Sequence, residues 1–572
     1  MEKIAKLKKL IKLYGLDGYI IPKNDEFFNE YVPNHKDRLK FISNFSGSFG
    51  LALILKNKNY LFVDGRYTLQ ANIQSGNLFK IVTFPNQFPK NIMKKKNLKI
   101  GFDSKTHTKI SLKLFFGENN CELIPLNINL VDKIWFKKEK LNYKKFYCMP
   151  DEANGQNLKF KINKLLLSNK KMKVDIHFIT AGENIAWLLN IRGGDSEYTP
   201  LPNCYLVVDK KKNIYLFCNL KKISNSFLKK LKIVKVFDIN QMDIFLSRIR
   251  NKRVSIDSAT CSIYFENILK RNNKIVNSSD QTYYLKSIKT KKEINNIEKS
   301  HLYDGVALTK FLIWLKKNFI RRNVSEISAQ EKLLKFRKKN KYFKYPSFPT
   351  ISGSGPNGAI IHYRASKKSN RKLKKDRIYL VDSGGQYNFG TTDVTRTISL
   401  NNKNIKIKNI FTRVLKGHIA VANYKLKNNT TGSLIDIVAR QPLKQVNLDY
   451  SHGTGHGVGY FLNVHEGPQA ISKNNKVKFK EGMIVSNEPG FYEKGKFGIR
   501  IENLIHVKKK NKKHYFENLT LVPIDRSLIN KSLLKQREIN WINNYHKTVF
   551  KKLSKYMNNM ELKVFSEQCS EI

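Results

Sequence analysis

Cysteine is scarce in this 572-residue chain: there are six, at positions 121, 148, 204, 218, 261 and 569, and no CxxC pair. That spacing excludes a zinc ribbon, a thioredoxin-type motif and a disulfide scaffold, and it fits a reducing cytoplasm. No apolar run approaches the roughly 20 residues needed to span a bilayer. The opening stretch, MEKIAKLKKLIKLYG, lacks the continuous apolar core and small-residue cleavage site of a signal peptide. It puts Ile4, Leu7, Ile11 and Tyr14 on one helical face with lysines opposite. That pattern predicts a core-facing first helix ahead of strand-like DGYIIP, rather than a helix lying on a membrane.

Acidic residues are also few, 45 against 106 Lys and Arg, for a formal net charge of +61. Such a balance suggests nucleic acid as a partner, but the basic runs are dispersed. Lys210, Lys211 and Lys212 fall between strand-like YLVV and IYLF, and lysines 508–510, 512 and 513 fall between LIHV and HYFENLTLV. Both read as solvated hairpin turns. The chain is also rich in Lys, Asn and Ile, residues of A/T-rich codons. We therefore read the charge as composition bias with a basic surface, and expect neither a specific nucleic acid nor a membrane as partner. Non-specific polyanion binding at low salt is still expected.

A chain of this length, 41% hydrophobic and 11% aromatic, predicts three or four packed domains. The first 285 residues read as two copies of one α/β unit. In each, a helix and strand (GYIIP; DIHFIT) lead to a Gly-rich turn (FISNFSGS; AWLLNIRGGD). A Lys/Asn-tipped hairpin follows, with Tyr60 and Tyr215 in corresponding places. Residues 133–140 and the polar stretch after them read as a linker. From about Thr290, helical spacing returns over several turns, then a second helix with Ser325 as N-cap. After SFPTIS, the loop GSGPNG and the expected strand AIIHY, helices alternate with hairpins, which reads as α+β. The tail holds an expected strand, ENLTLVPID, and a helix with Trp541, Tyr545, Val549 and Leu553 at near four-residue intervals, packing on the preceding domain. The expected limits are 1–140, 141–287, 288–510 and 511–572.

Two pairs of carboxylates and a Gly/His loop carry the chemistry. Asp382 and Asp393 flank a hairpin in VDSGGQYNFGTTDVTRT. Glu488 ends MIVSNE before Pro489-Gly490, and Glu502 lies in IRIEN, two residues from Arg500 and so on the same face of an expected strand. Between them SHGTGHGVG sets His452 and His456 among four glycines, a sign of close backbone approach. One histidine can ligate while the other hydrogen-bonds substrate. His465 follows in NVHEGP and His362 precedes in AIIHYR. Taken singly, each Asp reads as a turn or capping residue, the Glu–Arg set as a surface ion pair, and a histidine as structural. Together, Asp382, Asp393, His456, Glu488 and Glu502 suit two divalent ions sharing a water, which points to hydrolysis. The GxGxxG of Gly353, Gly355 and Gly358 is a decoy, because Pro356 and β-branched residues follow where a dinucleotide site needs a helix.

SFPTISGSGPNGAIIHY, VDSGGQY, GTTDVTRT, LDYSHGTGHGVGYFLNVHEGP, MIVSNEPGFY and GIRIEN resemble the pita-bread dinuclear metallopeptidases, in the three-domain form of aminopeptidase P. The likeness covers nearly the whole chain, including DEFFNEYVPNHKDRLKFISNFSGS, DGRYTLQA, IAWLLNIRGGD and INNYH. One departure is Lys444, where an aromatic is expected after the leucine. The resemblance implies two creatinase-N-like α/β domains ahead of a pita-bread catalytic domain and a C-terminal extension. It implies that Asp382 binds one ion in bidentate fashion, that Asp393 and Glu502 bridge two, and that His456 and Glu488 complete the other ion's shell. His362, His452 and His465 match the family's substrate and proton-handling histidines, and Arg500 its site arginine.

The implied activity is hydrolysis of the N-terminal Xaa-Pro bond by a hydroxide bridging two divalent ions, Mn²⁺ by the hardness of the donors, with Co²⁺ or Zn²⁺ as substitutes. His465 would stabilise the oxyanion and Glu488 would shuttle the proton. Proline at the second position defines the expected peptide partners, and a cytoplasmic homodimer is the expected assembly. Prolidase, cleaving only dipeptides, is the alternative within this chemistry. A metal-free pita-bread module that binds histones or nucleic acid is the alternative outside it, although such relatives generally lack ligands that are all present here.

Overall fold

The computed structural model describes residues 2–93, 97–117, 121–136 and 143–572, without the side chains of 168–171. The chain divides into two compact units, Met1–Tyr283 and Tyr284–Ile572. No helix among the described residues is long and apolar enough to cross a membrane.

In the first unit, α1 (Glu2–Leu13) buries Ile4, Leu7 and Ile11 as its spacing predicts. Tyr14 does not join them: the helix ends at Leu13 and the ring is 41% exposed. Strands β1 (Gly18–Pro22), β2 (Leu51–Leu55), β3 (Asn59–Asp64), β4 (Lys80–Phe84), β5 (Leu98–Asp103) and β6 (Cys121–Leu126) form a sheet in the order 4-3-2-1-5-6. Strands β7 (Ile176–Ile179), β8 (Cys204–Asp209), β9 (Ile214–Cys218), β10 (Val234–Asp238), β11 (Arg253–Ile256) and β12 (Lys274–Asn277) form a second, in the order 10-9-8-7-11-12. The two orders, and the directions of all the pairings, are the same. Tyr60 and Tyr215 both sit on the return strand of the central hairpin, so the repeat seen in the sequence is a repeat of topology. Lys210, Lys211 and Lys212 form that hairpin's exposed turn. Of the expected linker, 137–140 and the two residues after it lie outside the described residues.

The second unit opens on α2 (Lys291–Asn318), capped by Thr290 with Glu293 in a capping box, and α3 (Glu326–Lys338), capped by Ser325. A sheet of β13 (Ile351–Ser354), β14 (Arg377–Ser383) and β15 (Val394–Leu400) is followed by α4 (Ile405–Ala422) and α5 (Gly432–Lys444). Lys444 is exposed at the end of α5, so its departure from an aromatic does not enter the core. The later strands include β16 (Ile484–Asn487), β17 (Gly490–Glu493), β18 (Phe497–Arg500) and β19 (Asn503–Lys510). The last pairs with β20 (Lys513–Asn518), placing lysines 508–510, 512 and 513 at an exposed hairpin end. Helix α6 (Gln536–Leu553) buries Tyr545, Val549 and Leu553 in one core with Phe411, Val414 and Leu415 of α4 and Ile499 of β18.

Three expected strands are absent or short. AIIHY is a turn following a 3-10 segment, Gly355–Ala359. The buried Glu326 carboxylate collects the Ser354 N–H, the Asn357 amide and the Tyr363 hydroxyl, which pulls that stretch out of any ladder. ENLTLVPID is a strand only to Asn518. Beyond it the Val522 and Pro523 carbonyls are taken by Arg396 instead of a neighbouring strand. The strand expected through IRIEN breaks at Ile501 and Glu502.

A buried triad fixes the loop after the Gly/His segment. Lys286 and Lys289 place their ammoniums 3.0 and 2.8 Å from the two Glu466 oxygens, with all three side chains at most 1% exposed. Burial would raise the Glu466 pKa, but the two ammoniums outweigh it and hold it below the ordinary value. Its contribution is therefore present above the unfolded pKa of about 4.3 and lost as pH falls through the folded one. Glu466→Gln strands two buried cations and should cost about 3–5 kcal/mol near neutral pH. Thermal melting checks this: the gap to wild type should narrow progressively as pH falls below about 4.3.

Candidate metal centre

The paired strands β16–β19 and β17–β18 are interrupted at the same level, Glu488-Pro489 on one side and Ile501-Glu502 on the other. Asn487 faces Asn503 and Gly490 faces Arg500, so both glutamates leave the ladder at one kink. Opposite them, Asp382 pairs with Thr395 across β14 and β15, and Asp393 immediately precedes β15. The Glu502 N–H donates to Thr395 O at 3.1 Å, and its carboxylate accepts from Thr395 Oγ1 at 2.8 Å. These bonds join the two carboxylate pairs.

The Gly/His loop approaches from the side. A Cβ on Gly455 would stand 1.9 Å from Ser486 O, and one on Gly457 2.0 Å from Glu466 O, so only glycine admits this approach. Ser486 Oγ accepts the His456 N–H at 2.9 Å and donates to Glu488 Oε1 at 3.1 Å. The His456 Nδ1–H donates to Gly457 O at 3.0 Å, which leaves the Nε2 lone pair facing outward. That lone pair lies 3.5 Å from Asp393 Oδ2 and 3.4 Å from Glu488 Oε1. A lone pair opposed to two anionic oxygens is repulsive unless a proton or a cation stands between them. Ligand atoms of Asp393, His456 and Glu502 all lie within 4.8 Å of one another.

Arg500 is the guanidinium of the site. It donates to Asp382 Oδ2 at 2.6 Å, Thr395 Oγ1 at 3.1 Å, Tyr492 OH at 2.5 Å and Ile361 O at 3.4 Å. His362 follows Ile361 and is half-buried. Because the His452 Nδ1–H donates to Gly453 O, its Nε2 accepts from Tyr492 OH at 2.9 Å. His452, Tyr492, Arg500 and Asp382 thus form one chain. The His465 ring stands edge-on to His456, 4.3 Å between centroids. Among the residues picked from sequence, Asp382, Asp393, His456, Glu488, Glu502, His465 and Arg500 gather around one point. His452 joins through Tyr492, and His362 through its neighbour's carbonyl.

The sequence reading passed over Tyr492, Thr395, Ser486 and the α5 pair Asp436 and Arg440. Asp436 accepts from Thr454 Oγ1 at 2.6 Å, and Arg440 donates to His452 O at 2.6 Å, which fastens the Gly/His loop to the helix. Thr395, two residues after Asp393, and Ser486, two before Glu488, are the ones whose spacing pointed here.

Burial, then Asp382 and Glu488, raise the Asp393 pKa well above the carboxylate range. Burial, then Asp393 and Glu488, do the same for Glu502, and burial raises Glu488. Oδ1 of Asp382 and Oδ1 of Asp393 are buried with no hydrogen-bond partner among the described residues. Orphaned acceptors, crowded carboxylates and an outward imidazole lone pair fit a pair of divalent ions held by hard donors.

Comparison with known proteins bears on this arrangement. Residues 295–509 match the model of Metallopeptidase family M24, and 513–572 that of the C-terminal region of peptidase M24. Residues 3–127 and 137–293 each match a Creatinase/Prolidase N-terminal domain. The probable Xaa-Pro aminopeptidase P of Laccaria bicolor is 38% identical, over 97% of this chain and 90% of that one. The X-prolyl aminopeptidase of Caenorhabditis elegans, described as a cytosolic enzyme with a di-nuclear active site, superposes with a TM-score of 0.93 at 31% identity, covering 100% and 99% of the two chains. A prolidase from Pyrococcus horikoshii is 25% identical with a TM-score of 0.52, covering 64% of this chain and 99% of its own.

The raised carboxylates give the metal-free protein a definite pH response. Their stabilising contribution is present below the unfolded value of about 4 and is lost as pH rises through the folded values. In chelator, the melting midpoint should fall as pH rises above about 4. Asp393→Asn, with one charge fewer, should flatten that fall; a wild-type slope in the variant would contradict the coupling.

Proposed function

The chain belongs to metallopeptidase family M24, among its Xaa-Pro aminopeptidases, and from this membership we propose that it removes the first residue from peptides carrying proline second. The observation that carries the reading is the cluster of Asp393, His456 and Glu502, with Glu488 beside His456 and orphaned oxygens on Asp382 and Asp393 among the described residues. Asp382, Asp393, His456, Glu488 and Glu502 would hold two divalent ions, which when bound supply an acidified water and polarise the scissile carbonyl.

The chain's own residues do the rest. Arg500 fixes Asp382 by a 2.6 Å bond and so orients the carboxylate that has no other partner on Oδ2 among the hydrogen bonds of the described residues. His465, edge-on to His456, is the donor assigned to the developing oxyanion. Glu488, tied to Ser486 through Oε1, is the carrier assigned to move a proton to the departing proline nitrogen. His452 with Tyr492 and His362 line the substrate side. Proline calls for a dedicated enzyme because its nitrogen forms a tertiary amide with no N–H for other peptidases to grip.

Manganese as the resident ion is supported by the oxygen-rich donors. A cytoplasmic location is supported by the cytosolic nematode neighbour. Domain limits at 1–140, 141–287, 288–510 and 511–572 are supported by the family matches. A homodimer rests on the family resemblance.

Aminopeptidase action is preferred to prolidase action because the likeness to the nematode aminopeptidase extends over the whole chain, against 64% for the prolidase. With Mn²⁺, the protein should release the first residue from Xaa-Pro-Pro-Yaa peptides as well as from Xaa-Pro, followed by mass spectrometry; cleavage of dipeptides alone would make it a prolidase. Asp393→Asn and Glu502→Gln should each lose more than about a hundredfold in kcat/KM, beyond what residues that merely buttress a ligand cost. Circular dichroism should remain that of the wild type. Near-native activity in either variant would refute the ligand set.

A further inference from the structure

Glu502 sits where its own strand is broken, so the ladder cannot hold its backbone. Both backbone groups turn to β15: the N–H donates to Thr395 O, and the carbonyl accepts from Arg396 Nη1 at 2.6 Å. Arg396 is 1% exposed, and no carboxylate pairs with it among the described residues. Its other bonds go to Thr395 O, Pro523 O, Val522 O, Asn503 Oδ1 and the Tyr545 hydroxyl, at 2.7–3.0 Å. Half of its acceptors thus come from the chain beyond β20.

Tyr545 lies on α6 and is itself held from both ends. Its ring stacks on Trp541 at 5.3 Å, and its hydroxyl donates to Val522 O at 2.8 Å. The adjacent His546 accepts from the Ile524 N–H at 3.1 Å through Nε2. A buried guanidinium is a rigid fork, so acceptors fixed on one side decide where its other donors point. Here three of the acceptors belong to the C-terminal segment and hold Nε and Nη2, while Nη1 reaches the Glu502 carbonyl as well as Thr395 O.

Resting on the ligand set proposed above, we infer that residues 513–572 are a positioning element of the metal centre: Tyr545 orients Arg396, and Arg396 fixes the backbone of Glu502. The segment is then part of the catalytic apparatus rather than a separate cover for the core.

The test is Mn²⁺ titration of the metal-free full-length protein by calorimetry, beside thermal melting and peptide kinetics. Tyr545→Phe keeps the ring on Trp541 and removes the hydroxyl. It should weaken Mn²⁺ binding about tenfold, with kcat falling at limiting metal and KM for peptide near wild type. Arg396→Lys, which loses the fork, should weaken it further. Val549→Ala, one turn along the same helix in the core, should lower the melting midpoint and leave Mn²⁺ affinity unchanged. Wild-type affinity in Tyr545→Phe, or equal weakening in Val549→Ala, would overturn this inference alone. A wild-type protein that takes up no Mn²⁺ would overturn both it and the ligand set.

Discussion

Four carboxylates sharing one site, three of them buried and Glu488 half-buried, are the constraint on which the C-terminal unit is built. Among the described residues, Asp382, Asp393, Glu488 and Glu502 face one ion-paired guanidinium, that of Arg500, and of the four it pairs with Asp382. Unrelieved, such a group must take up protons or come apart, because charge removed from water is costly. Two dications balance the four negative charges, so the arrangement has the shape of a site that stores repulsion for cations to discharge.

Holding that arrangement explains otherwise odd features of the backbone. Regular pairing would fix Glu488 and Glu502 on sheet faces set by strict alternation. Breaking both strands at one level frees them, and the lost backbone bonds are recovered from Thr395, Thr454 and Arg396. The glycines of the His loop let the backbone pass within contact of Ser486 and Glu466, and α5 anchors that loop through Asp436 and Arg440. The Lys286–Glu466–Lys289 triad does the same for the turn bearing His465. Each device is internal to the C-terminal unit, while the first unit repeats one sheet topology twice.

Much of this was legible in the sequence, for definite reasons. The repeated unit showed because both copies keep a tyrosine on the return strand of a Lys/Asn-tipped hairpin. The quintet showed because each member sits in a distinctive local setting, and the Pro489-Gly490 break advertised its own kink. The break at Ile501-Glu502 did not, since IRIEN has ideal strand composition and the cause, Thr395 and Arg396, lies about a hundred residues away. AIIHY failed for a similar reason: its β-branched residues favour a strand, but Glu326 captures the polar groups around it. Tyr492 and Arg440 escaped because their roles are contacts across the fold, which no local pattern encodes.

The account turns on what sits among those carboxylates. The most direct measurement is anomalous X-ray diffraction at the manganese edge from crystals grown with Mn²⁺. The account predicts two peaks, enclosed by Asp382, Asp393, His456, Glu488 and Glu502, with Asp393 and Glu502 touching both. One peak, none, or density centred elsewhere would contradict it.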